Sequence, residues 1–130
     1  KTIVDTRPQQ SDILIHDIEH TIFFFDHKAS NLVHQEKDIQ QLSQSIIELL
    51  RLTNGLQKSL QINIIGSTDQ TGNPIKNQQL RILRESYIKN ALIQSGVPSF
   101  ILVSQSQYNQ AETNINNKNE RSIRFDIRVY

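Results

Sequence analysis

The segment QINIIGSTDQTGNPIKNQQLRILRESYIKNALIQ, residues 61–94, decides how the rest of the chain is read. Gln61 to Ile65 is a short, β-branched run, the mark of a strand, and it leads directly into a loop bounded by Gly66 and Gly72. Asn77 to Gln94 then predicts a helix with Leu80, Leu83, Tyr87 and Ala91 facing inward, stopped by Gly96-Val97-Pro98. Thr68 and Asp69 stand where the chain leaves the strand, a usual place for ligand groups in open α/β sheets. Arg84 lies fifteen positions after Asp69, on the helix. Asn77, seven residues before Arg84, falls on nearly the same helical stripe, with Arg81 between them. A helix packed beside that loop borders one cleft with a carboxylate and a guanidinium. The carboxylate accepts from an ammonium and the guanidinium grips a carboxylate through two parallel bonds, so the pair suits a small zwitterion. Taken singly, each residue has a plainer reading, the Asp as a turn or cap residue and the Arg as a solvated helix side chain.

Outward from this segment, Gln35 to Leu52 carries Ile39, Leu42, Ile46, Leu49 and Leu50 at helical spacing, and Asn54-Gly55 is expected to end that helix. Thr21 to Phe25 reads as a strand buried on both faces. Phe100 to Val103 reads as another short buried strand, and Gln105 to Glu120 as a polar surface loop. Ser122 to Tyr130 alternates, with Ile123, Phe125, Ile127 and Val129 on one side. Asp12 to His20 is compatible with a short helix or a short strand. The implied order is β-α-β-α-β-β: an α/β (α+β) two-layer sandwich with helices on one face of a mixed four-stranded sheet. Residues 1–20 are expected to be a linker or tail with room for a short extra element, and residues 21–130 the domain proper.

Composition narrows the function classes. A formal net charge of +1 gives no electrostatic case for a nucleic-acid partner. With no cysteine, neither a disulfide framework nor a thiolate metal site can form. His16 and His20 share a helical spacing, but a metal site needs a third ligand, so no metal or cofactor is expected. No phosphate loop, nucleophile elbow or paired-carboxylate arrangement is legible, and the chain is not expected to be an enzyme. It opens on Lys1 and contains no methionine, as expected of a processed or excised piece of a longer protein whose signal peptide or lipidated residue lies outside it.

With Asp69, Gly72, Asn77, Leu80 and Arg84 at these spacings, the sequence from about Ile22 to Val129 resembles the OmpA-like peptidoglycan-binding domains of OmpA C-termini, Pal lipoproteins and MotB-type stators. The resemblance implies the sandwich fold above and non-covalent binding of peptidoglycan through the diaminopimelate of its stem peptide. Asp69 would hold the ammonium and Arg84 the carboxylate, with Asn77 at the helix start close to the ligand and little stability at stake in either charged residue. Asn119-Glu120-Arg121 resembles the family's Asn-Arg-Arg segment and implies Arg121 as a further pocket residue. Phe24-Phe25-Asp26 and Ser30-Asn31-Leu32 match the first strand and its loop, placing Asp26, His27 and Lys28 on the near wall. The chain departs from the pattern at Ser67 (usually His or Tyr), Arg81 (usually Ser) and Glu85 (usually Ala), and it lacks the Gly-rich turn near Ser104 to Tyr108. The implied location is periplasmic, tethered to the outer membrane of a Gram-negative cell, the membrane being reached only through an anchor outside this chain. The alternative is a structural subunit of a multiprotein envelope secretion complex whose ligand pocket is idle.

Overall fold

The computed structural model describes residues 9–68, 72–108 and 121–130. The elements in chain order are α1 (Gln10–Glu19), β1 (Phe23–Phe24), α2 (Glu36–Gly55), β2 (Leu60–Gly66), α3 (Pro74–Gln94), a 3-10 turn at Ser99–Ile101, β3 (Leu102–Ser104), a single turn α4 (Gln105–Tyr108) and β4 (Ser122–Val129). The sheet is mixed, in the order β1-β4-β2-β3. β2 and β3 are parallel neighbours joined through α3, whereas β4 lies antiparallel between β1 and β2.

Register explains which side of the sheet is dry. Ile62 faces Ile127 and Ile64 faces Phe125, so the even positions of β2 and the odd positions of β4 share one face. That face supplies Leu60, Ile62, Ile64, Ile123 and Phe125 to the core, with Phe23 edge-on to Phe125 at 6.1 Å. Burying each large aliphatic side chain contributes roughly 1.5–3 kcal/mol. α2 closes the core with Ile39, Leu42, Ile46 and Leu49. The segment around Asp12 to His20 is helical: Leu14 and Ile18 of α1 are part of the same core. The Glu19 carboxylate also accepts from the Ile127 amide at 3.0 Å, occupying a donor on the β4 edge that the two residues of β1 do not reach.

Several expectations are corrected. The Thr21 to Phe25 run is not a strand buried on both faces: β1 is an edge strand of two residues, and Phe24 points outward at 55 % exposure. The third strand begins at Leu102, after the 3-10 turn that leaves Phe100 in solvent. The stretch expected as loop from Gln105 opens with α4, and Ser106 is buried; the remainder of that stretch, up to Glu120, lies outside the described residues. In α3 the buried stripe is Arg81, Arg84, Glu85, Ile88 and Leu92; of the expected inward residues Tyr87 and Ala91 do pack, partly buried, against the core, whereas Leu80 lines a cleft and Leu83 is 55 % exposed. Leu80 and Leu83 had pointed to the wrong face because charged side chains are rarely buried.

Both long helices end in the same hydrogen-bond pattern. After α3, Gly96 at φ 106° donates to Ile93 O, and Val97 donates to Leu92 O. After α2, Gly55 belongs to the helix, and the left-handed residue is Gln57 at φ 58°, donating to Asn54 O while Lys58 donates to Thr53 O. A side chain in that conformation costs about 1–2 kcal/mol relative to glycine. Gln57→Gly is therefore expected to stabilise the domain by about 1 kcal/mol, read as a thermal midpoint roughly 4 °C higher; an unchanged or lowered midpoint would contradict it.

Candidate functional site

α3 positions the site, and its start is locally specified. Asn73 caps the helix, its side-chain oxygen accepting from the amides of Ile75 (2.8 Å) and Lys76 (3.3 Å), and Pro74 supplies a preset first turn. Gly72, at φ 90°, allows the chain to turn into that cap. From here the stripe Asn77, Arg81, Arg84 and Glu85 runs along the ends of the strands.

Arg84 is 1 % exposed, and its guanidinium is held by main-chain carbonyls: Nε donates to Ala29 O at 2.8 Å, Nη2 to Asp26 O at 3.3 Å and Nη1 to Ser67 O at 3.5 Å. It also sits over the Phe25 ring, 5.2 Å from the centroid. One turn further on, Tyr87 stands edge-on to Phe25, and its hydroxyl donates to Leu32 O at 3.3 Å. Arg84 and Tyr87 thus fasten the segment after β1 onto α3, while Arg84 also reaches the loop after β2.

Glu85 is fully buried and accepts four hydrogen bonds: from Gly66 N (2.7 Å), Ser104 Oγ (2.6 Å), Ser106 N (2.8 Å) and Ser106 Oγ (2.5 Å). A carboxylate with this many donors tolerates burial. Arg81 donates to Thr68 Oγ1 at 3.0 Å and to the Gln78 side-chain oxygen, and Gln78 in turn donates to Ser106 O at 2.6 Å. Gly66 fits closely into this packing: a Cβ there would lie 3.0 Å from Glu85 Oε2 and 3.3 Å from Ile123 Cδ1, so both side chains would have to give way.

Beside this network opens a cleft of about 580 Å³ whose walls include His27, Lys28, Thr68, Asn73, Lys76, Asn77, Leu80, Arg84 and Arg121. Phe25 N donates to Arg121 O at 2.7 Å, which brings Arg121 next to the turn of residues 26–29. Of the residues singled out in the sequence, Thr68, Asn77, Arg84 and Arg121 come together at this cleft. Asp26 takes part through its main-chain carbonyl on Arg84, and its side chain is exposed and is not among the lining groups. Asp69 lies outside the described residues. Sequence reasoning missed Glu85 as a hub and Lys76 as a wall residue. The signal for Glu85 was present in the 81, 84, 85, 88, 92 spacing, which forms a clean helical stripe once charged residues are admitted to it.

The fold belongs to a recognisable class, the OmpA-like α+β sandwich. Solved structures that share it include these three. The peptidoglycan-associated lipoprotein from Burkholderia pseudomallei matches with a TM-score of 0.57 and 21% identity, over 82% of this chain and 89% of that one. The C-terminal domain of Helicobacter pylori MotB (residues 125–256) gives 0.51 and 24%, over 85% and 84%. The OmpA-like domain of FopA1 from Francisella tularensis subsp. tularensis SCHU S4 gives 0.50 and 21%, over 82% and 70%. No family model matches the sequence, and no curated protein matches it either.

The buried network makes a stability prediction that departs from the expectation of a dispensable Arg84. Arg84→Ala strips donors from three carbonyls and is expected to cost about 3 kcal/mol in urea unfolding. Glu85→Ala, which orphans four buried donors, is expected to cost at least as much. Asn77→Ala, at the half-buried helix start, is expected to stay within about 1 kcal/mol. Equal, small effects for all three would refute the assignment of Arg84 and Glu85 as structural ties.

Proposed function

We propose that this domain binds peptidoglycan non-covalently through the diaminopimelate of the stem peptide, and so anchors an outer-membrane protein, a lipoprotein or an envelope machine to the cell wall. The observation that carries this reading is the cleft itself: Thr68 at the end of β2, Asn77 and Arg84 on α3, and Arg121 before β4 converge on one hollow of a size suited to a small ligand. On this reading Asp69, next to Thr68 in the sequence, supplies the acid that meets the ligand's ammonium, and the cationic groups meet its carboxylate. Charge-assisted bonds of this kind contribute roughly 1.5–3 kcal/mol each, so single-site affinity is modest and many copies on a wall polymer add avidity. The likeness to structures named as a peptidoglycan-associated lipoprotein and as a MotB domain supports the same reading and a periplasmic location. No helix among the described residues is long and apolar enough to cross a membrane.

One observation favours a second reading, an interaction subunit of an envelope complex with an idle pocket: Arg84 is 1 % exposed and already serves three carbonyls. Co-sedimentation with purified sacculi separates the two. Under the binding reading the domain pellets with sacculi, and Asp69→Asn and Asn77→Ala each reduce retention about tenfold with folding intact. Retention unchanged in both variants, together with unmoved amide resonances on titrating a diaminopimelate muropeptide, would overturn binding and leave the idle-pocket subunit.

A further inference from the structure

The charge of the cleft goes beyond what a single zwitterion requires. Four of its lining side chains are Lys28, Lys76, Arg84 and Arg121, and none of its described lining residues is Asp or Glu. The chain as a whole is nearly balanced, with 14 Lys and Arg against 13 Asp and Glu, so the excess is local. The N-terminus of the 21-residue α3 opens on the same hollow through Gly72 and Asn73, and its dipole adds positive potential there. Lys28 is held at φ 62°, a conformation unfavourable for a residue with a Cβ, in a turn closed by Ala29 N donating to Asp26 O at 2.9 Å. Arg84 clamps both ends of that turn through the Asp26 and Ala29 carbonyls. The strained residue is therefore one that the buried network holds at the cleft.

Resting on the cell-wall reading above, we infer that the cleft selects stem peptides whose carboxylates are free over peptides in which a carboxylate is amidated, and that Lys28 and Lys76 determine this preference. Lys28 and Lys76 meet carboxylates that the peptide carries beyond the diaminopimelate zwitterion, above all the α-carboxylate of the γ-linked glutamate next to diaminopimelate. Amidation converts that anion into a neutral group carrying N–H donors, which a cluster of donors cannot pair.

The test is calorimetric titration of the 130-residue chain with L-Ala-γ-D-Glu-meso-diaminopimelate, and with the same tripeptide amidated at the glutamate α-carboxyl. The acid form is expected to bind about tenfold more tightly. The double variant Lys28→Gln/Lys76→Gln, both at exposed positions, is expected to keep its thermal midpoint and to bind the two peptides alike. Equal binding of both peptides by the unaltered chain would overturn the selectivity and leave the wall-binding reading standing. Binding of neither would overturn both. A gap that persists in the double variant would overturn the assignment to the two lysines.

Discussion

The guanidinium of Arg84 joins segments that no strand pairing brings together. Two of its carbonyl acceptors, on Asp26 and Ala29, belong to the turn after β1, and the third, on Ser67, belongs to the exit from β2. A planar five-donor group can serve acceptors on several sides at once, and it stays charged when buried, so carbonyl oxygens offset its desolvation. The geometry of the cleft follows from this arrangement. The turn bearing His27 and Lys28, the Thr68 loop and the start of α3 are all referred to one side chain.

Glu85, the next residue along the helix, performs the matching task on the other side. Its carboxylate fixes Gly66 at the end of β2 and Ser104 at the end of β3, and it takes the Ser106 amide in the first turn of α4. That amide is one of the donors a helix start leaves unpaired, and a carboxylate is the favoured partner there. Glu85 and α4 are thereby one physical unit, the acid satisfying the amide in the first turn of the helix. Arg81 extends the unit through Thr68 and Gln78 to Ser106.

This arrangement separates shape from recognition. Buried charges hold the walls in place, and the groups at the rim, Lys28, Lys76 and Arg121, are exposed to solvent. A site supported in this way loses little conformational freedom when a ligand arrives, which favours affinity from few contacts. The solved OmpA-like structures share the architecture at identities of 21–24%. Such divergence is tolerated because the sheet asks only for apolar residues at alternate positions and the helices for a stripe of them.

Much of the fold was legible because it depends on local periodicity. The alternation in β4, the heptad-like spacing of α2 and the β-branched run of β2 each report on neighbours along the chain, whereas α3 begins at Pro74, ahead of the expected Asn77. The gathering of Thr68, Asn77, Arg84 and Arg121 around one hollow also followed from spacing together with the family pattern. What spacing could not report was which face of α3 turns inward. Leu80 and Leu83 are the apolar choice, yet the interior takes Arg84 and Glu85, because carbonyls and amides from three distant loops meet them there. Likewise, only the packed structure showed that Phe24 faces out and that Glu19 covers part of the β4 edge. Periodicity is a property of a segment, whereas the burial of a charge depends on partners many residues away, and those exist only once the chain has folded.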